Sequence, residues 1–272
     1  MSSASSFLLL YVKAALSWGF SCRIVPLSKS RLALKAPPPS TLIGALTYPL
    51  AKLLNWPEME TINPPVSTAN KLRKVIVSAH ARLNFSLSES FDINRVYWYY
   101  AAKGETRSDA IALEKIYASP LPGKIYPEIN LVYIVKQDDN INRILGEKWD
   151  QKLLLAGWGI TRVGQKESLV IPRKVSLEKA KMHFKGEFET SYYFPARACE
   201  PLPAGLYLQE NFVDISSIEI GDYAVSKKEP FIIPYSIENF EPISVRVKLS
   251  DEGVAFVSEK FVIITLRQWI GR

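Results

Sequence analysis

Three consecutive prolines, Pro37, Pro38 and Pro39, run straight into "STLIGAL" (40–46) and fix where the first helix of this 272-residue chain can begin. Proline sets φ near −65° and offers no N–H, so the stretch is a stiff approach that the following backbone must leave at a set angle. Ser40 is the expected N-cap, its hydroxyl accepting from free N–H groups of the first turn. Leu42, Ile43, Leu46, Leu50, Leu53 and Leu54 recur at helical spacing over about 14 residues. Pro49 is expected to kink or split that helix.

Apolar and β-branched residues at 6–14 predict a strand before it. The apolar run Phe7–Val12 is closed by Lys13, too short for the roughly 20 residues of a membrane span, and no basic segment marks a leader. A buried strand of a cytoplasmic protein without a membrane partner is the expectation. From 71 to about 136 the pattern is β, including "VYWYY" (96–100), which reads as a doubly buried strand, a protein interface or a stacking platform. A second helix is expected over 139–155, then a glycine-containing segment and strand, and short strands with Pro and Gly breaks to the end.

The order strand, helix, strands, helix, strand is that of a split β-α-β unit. The expected fold class is α+β: a ferredoxin-like (RRM-like) core from 1–70 plus 136–215, a β-rich arm inserted at 71–135, and a β-rich C-terminal region at 216–272.

Net charge is +7 and unevenly spread. Residues 1–57 hold six Lys or Arg and no Asp or Glu, and 161–185 hold seven basic against two acidic. The last segment, 186–272, has eight basic against thirteen acidic, at spacings that suggest a solvated surface. Two positive blocks suggest either a polyanion partner or a basic surface kept for solubility. The loop before the prolines brings Arg23, Lys29, Arg31 and Lys35 to a helix start, where N–H groups and the partial positive charge suit a phosphate. Gly44, one turn in, permits close approach of another backbone.

The segment "AGWGITRVGQKESLV" (156–170) spaces Gly157, Gly159 and Gly164 in a way that fits neither G-x-G-x-x-G nor a P-loop. Flanked by Arg162 and Lys166, it can still wrap a nucleic-acid backbone; if 162–166 is extended, the two cations share one face. On the arm, Lys71, Arg73, Lys74, His80 and Arg82 sit on or beside strands and could touch RNA or a neighbouring subunit. His80 is also the one candidate general base there, although a lone strand histidine is more often structural. Cys22 and Cys199 are read as isolated reduced thiols, and neither a metal site nor a cofactor is expected. No paired-carboxylate cluster, nucleophile elbow or HExxH is present.

A first strand running into "ALSWG" (15–19), a basic loop with Arg23 and then "PPPSTLIGAL" (37–46) resembles the N-terminal signature of the repeat-associated mysterious proteins (RAMPs) of CRISPR systems. It is most similar to the subunit capping the 5′ end of the guide RNA in type I Cascade complexes, with type I-A of archaea as the suggested branch. "GITRVGQKESLV" (159–170) resembles the glycine segment after the second helix of that group.

The resemblance implies a ferredoxin-like core, a protruding thumb and a grip on the 5′ handle of the CRISPR RNA. It also implies contact with backbone, large and small subunits, with target DNA met only indirectly. It would place Trp18, Gly19 and Arg23 at the handle, Ser40, Thr41 and Gly44 at the helix start, and Arg162, Gly164 and Lys166 in the same groove. The expected function is a non-catalytic RNA-binding subunit. The alternative is a metal-independent endoribonuclease acting on repeat RNA, and a third reading is an adaptor that binds protein alone.

Overall fold

The computed structural model describes residues 6–23, 30–62, 65–214 and 226–271. Strand β1 (Ser6–Leu16) is apolar on both faces, and both are covered. Helix α1 (Pro39–Leu53) follows the prolines. Strand β2 (Ile76–Tyr100) and β3 (Glu105–Pro120) form a long hairpin, and β4 (Glu128–Gln137) returns to the centre. Helices α2 (Asp139–Leu145) and α3 (Trp149–Trp158) lead to β5 (Val170–Lys179).

Four strands make the central sheet in the order β2-β4-β1-β5, every neighbour antiparallel. α1 and α3 pack on one side, close enough that a methyl on Gly157 would lie 2.7 Å from a Val175 side-chain carbon and 3.2 Å from Val12. The other side of the sheet is covered by the C-terminal strands β6 (Tyr207–Val213), β7 (Lys228–Ser236), β8 (Gly253–Val257) and β9 (Val262–Leu266) with their loops. Phe7 meets Phe256 edge-on at 5.2 Å, and Tyr11 stacks on Phe261 at 5.4 Å. One apolar core therefore runs through all three layers.

Several expectations change. The N-cap is Pro38 and the helix begins at Pro39, so Ser40 lies inside the first turn and caps nothing. Proline suits the first helical position because the N–H it lacks would have no intrahelical partner there. Pro49 does not divide α1; it is buried against α3, where a methyl on Gly159 would come within 2.7 Å of its Cβ. The helix expected over 139–155 is two, parted at Gly146 (φ +73°) and Lys148 (φ +55°), with Asp138 capping the first by accepting from the Asn140 N–H at 2.9 Å.

The span 71–135 supplies both sheet and arm: Ile76–Asn84 and Glu128–Val135 pair inside the central sheet, while β2 beyond Phe85 pairs with β3 as a projecting hairpin. "VYWYY" is near the tip of that hairpin, all five residues exposed, so it is not a doubly buried strand. Nor are all C-terminal acids solvated: Asp214 and Glu229 are buried, the latter gripped by Arg197 through three hydrogen bonds of 2.8, 2.9 and 3.2 Å. Both cysteines are free and buried.

Candidate nucleic-acid interface

At the start of α1 the Pro38 carbonyl accepts from Thr41 N–H (2.9 Å) and Leu42 N–H (3.2 Å). Pro39 has no N–H, so Ser40 is the first residue of the helix with one to offer. The acid-free approach is held by carboxylates from elsewhere. Glu114 of β3 accepts from Ala33 N–H at 2.6 Å, and Glu210 of β6 from Lys35 N–H at 3.0 Å. Burial raises the Glu210 carboxyl above its ordinary value, and the bond from Lys35 N–H opposes that. The Lys35 ammonium pairs with Glu89. None of these three carboxylates lines the cavity in front of the helix start.

The glycine segment is tied to the residues that follow β1. Gln165 N–H donates to the Ser21 carbonyl (3.0 Å), Ser21 N–H donates to Ser168 Oγ (3.1 Å), and Trp18 Nε1 donates to the Glu167 carbonyl (2.7 Å). Val163 N–H closes the loop onto the Ser168 carbonyl at 3.0 Å. Gly164 needs its hydrogen, with φ +113° and room for no methyl without coming 2.8 Å from the Ser21 oxygen. The loop bends from 163 to 167, so Arg162 and Lys166 do not share a strand face as expected; they fall on either side of Gly164.

Two adjoining cavities result. The larger, about 520 Å³, is lined by Arg23, Ser40, Thr41, Gly164, Gln165 and Lys166, with Asn211 and Lys228 from the C-terminal strands opposite. Arg23 Nε and Gln165 Nε2 are buried there with no hydrogen-bond partner, and Glu167 is the one carboxylate on its wall among the described residues. At its base, burial pushes the Cys22 thiol up to about 12 against a weaker opposing bond with Thr41, so it is a neutral wall rather than a nucleophile.

The smaller cavity, about 290 Å³, is lined by Thr41, Gly44, Tyr48, Arg162 and Gly164. A methyl on Gly44 would meet nothing within 4 Å. The exposed Tyr48 ring has the Arg162 guanidinium at 5.7 Å and the Lys52 ammonium at 5.5 Å. Hydroxyls, a helix start, two orphaned donors and mobile-length cations around open space can hold phosphates and present edges to a base.

The structure therefore brings Arg23, Ser40, Thr41, Gly44, Arg162, Gly164 and Lys166 together. Trp18 lies beside them, its ring 5.4 Å from Tyr117, and lines neither cavity. Gly19 is a packing residue: buried at φ +148°, it abuts the Ile116 carbonyl so closely that a methyl would overlap it. Lys29 lies outside the described residues, and Arg31 is described only as backbone, parallel to Leu113.

The arm set is dispersed. Lys71, Arg73 and Lys74 occupy a short helix, Ala69–Leu72, and the turn after it rather than strands; the Lys71 ammonium is 5.2 Å from the Trp56 ring. His80 is fully buried in the central sheet, so it is neither an RNA contact nor a solvent-reaching base. Its Nδ1 donates to the Tyr193 carbonyl (2.8 Å) and its Nε2 accepts from Ser78 Oγ (2.7 Å). Burial lowers its pKa to about 4, with the Tyr193 bond opposing. Arg82 faces the C-terminal layer, away from the two cavities.

Sequence reasoning missed Tyr48, Gln165, Asn211 and Lys228. Tyr48 was findable, one turn beyond Gly44 and two beyond Thr41 on the same helix stripe. Asn211 and Lys228 carry no local signal, since only the folding of the C-terminal layer delivers them. Among the described residues, no group of three or more His, Cys, Asp or Glu could hold a metal, and no helix is long and apolar enough to cross a membrane.

No family model matches the chain. It is 31% identical over 179 residues, 66% of this chain and 68% of the relative, to "CRISPR-associated protein Cas5 3" of Saccharolobus solfataricus. It is 32% identical over 180 residues, with the same coverage of each, to "CRISPR system aCascade subunit Cas5 1" of that organism. Among solved structures it is similar to a CRISPR protein from Archaeoglobus fulgidus, with a TM-score of 0.63 at 19% identity over 95% of this chain and 99% of the other, a likeness of fold.

Proposed function

The chain belongs to the Cas5 family of CRISPR-associated proteins, and from that premise we propose that it is a non-catalytic subunit of a Cascade-type complex that grips the 5′ handle of the guide RNA at the mouth of α1. The observation that carries this is the open cavity beside the first turn of α1, with the buried donors Arg23 Nε and Gln165 Nε2 lacking any acceptor. A buried donor without a partner costs on the order of 1–3 kcal/mol, which an incoming phosphate or carbonyl oxygen removes. The adjoining cavity under Arg162 continues the track past Gly44.

On this reading the sheet β2-β4-β1-β5 with α1 and α3 is the ferredoxin-like RAMP core, in strand order and antiparallel sense. The hairpin β2–β3 is the thumb. The partners are the handle of the CRISPR RNA and the backbone, large and small subunits, in the cytoplasm; one of the relatives carries the name of an aCascade subunit.

The test is the salt dependence of handle-RNA binding. Arg162→Ala with Lys166→Ala should weaken binding and flatten the log–log slope by about 0.7 for each lost phosphate contact. An unchanged slope would count against the assignment. Specific scission of repeat RNA by the same protein in EDTA would replace the scaffold reading with the nuclease one.

A further inference from the structure

A third cavity, about 400 Å³, lies on the opposite side of the central sheet, between its strands and the C-terminal layer. A row of residues runs in register across four strands beneath it, Arg82 opposite Asn130, Asn130 opposite Lys13 and Lys13 opposite Lys174. Arg82 and Asn130 line the cavity, with Lys174 at its exposed rim. Partners in an antiparallel ladder project to the same side, and like charges directly opposite are destabilising. Lys13 is neutralised by Glu128 at 2.9 Å. Arg82 has no such partner among the described residues, and its Nε is buried without a hydrogen bond.

Across the row, Asn130 Oδ1 is a buried acceptor with no hydrogen-bond donor among the described residues, and the Asn130 side chain lies beside Tyr192. The facing wall brings Phe261, stacked on Tyr11, and Lys260, which Glu178 holds at 2.6 Å. Glu189 is the one carboxylate lining the cavity among the described residues.

We propose that this cleft binds a nucleotide, its phosphate on Arg82 and Lys174 and a hydroxyl or amine donor on Asn130 Oδ1. A guanidinium whose Nε is buried without an acceptor calls for an anion, and its planar fork suits phosphate. Inorganic phosphate offers a donor only from its own P–OH, next to the charge that Arg82 holds, whereas a nucleotide carries N–H and O–H groups on its base and ribose that reach the Asn130 acceptor at the same time. The volume falls in the range of small-ligand sites, and the aromatic wall gives a base or ribose an apolar face. The nucleotide is either free or one unit of a single strand. The site is separate from the cradle at α1, and its existence does not depend on the handle reading.

The experiment is a calorimetric titration of the purified chain with AMP, inorganic phosphate and adenosine. AMP should bind once per chain, more tightly than phosphate or adenosine. Lys174→Glu, at an exposed rim position, should weaken AMP by at least about tenfold, and Asn130→Asp should do the same. The cradle variant Arg162→Ala with Lys166→Ala should leave AMP binding unchanged. If Asn130→Asp fails to fold, Lys174→Glu carries the test alone.

The proposal is overturned if AMP does not bind at millimolar concentration or binds no better than phosphate. It also falls if AMP binds Lys174→Glu as it binds the wild type, or is lost in the cradle variant. A short single-stranded RNA that binds at least tenfold better than AMP, with that gain lost in Lys174→Glu, assigns the cleft to a strand; one that binds no better assigns it to the free nucleotide.

Discussion

Gly164 and Ser21 meet so closely that the glycine's missing methyl would sit 2.8 Å from the Ser21 carbonyl oxygen. The contact joins the second basic block of the sequence to the segment that follows the first strand and sets the wall between the two cavities of the cradle.

Gly164→Ala should therefore destabilise the chain by about 1–3 kcal/mol, the cost of a non-glycine residue at φ +113° with a backbone clash. Urea denaturation reads the loss. RNA affinity should fall further than stability alone accounts for, measured under conditions where the variant is still folded.

Gly44→Leu should behave in the opposite way. Its side chain enters open space on an exposed helix stripe, and replacing a mid-helix glycine gains roughly 0.5–1 kcal/mol. The melting temperature should hold or rise while RNA binding drops, because leucine fills the groove beside Arg162. A variant that unfolds would make Gly44 a packing residue instead.

The buried His80 gives stability a pH dependence with a definite sign. Its folded pKa, about 4, lies below the ordinary 6.5, so the unfolded chain binds the proton first. Stability is then lost as pH falls from about 6.5 towards 4, by up to roughly 3 kcal/mol from this group. His80→Gln should flatten that portion of the curve in denaturation series between pH 7 and 5. An unaltered slope would mean the imidazole is accessible.

Arg197 and Glu229 should show strong coupling in a double-mutant cycle. Arg197→Leu strands a carboxylate that is 1% exposed. The expected cost is about 3 kcal/mol, the low end for a broken buried pair because the guanidinium is itself 35% exposed. Arg197→Leu with Glu229→Leu should recover most of it.

What the residues disclosed and what they withheld divides along physical lines. β1, α1 and the basic cradle were legible because each depends on neighbours in sequence: an apolar run, helical spacing after Pro39, and cations around glycine. The break at Gly146 and Lys148 was missed because the apolar pattern of Ile141, Ile144, Leu145, Trp149 and Leu153 runs on across it. Glu229 resembles any surface acid until Arg197, 32 positions earlier, is folded onto it. "VYWYY" has the composition of a core strand, and only its distance from the sheet along β2 decides that it is exposed. The closing wall of the cradle, Asn211 and Lys228, needs the whole C-terminal layer in place.

Because β2 passes without interruption from the interior of the molecule into the projecting hairpin, the reach of that hairpin is quantised. Side chains alternate along both strands, so lengthening by a single residue would turn every outward group beyond it to the reverse side. Only steps of two residues in each strand, roughly 7 Å at a time, move the aromatic tip outward while keeping its orientation. Related chains whose hairpins differ in length should differ by even numbers, and their tips should land at correspondingly spaced positions on whatever they touch.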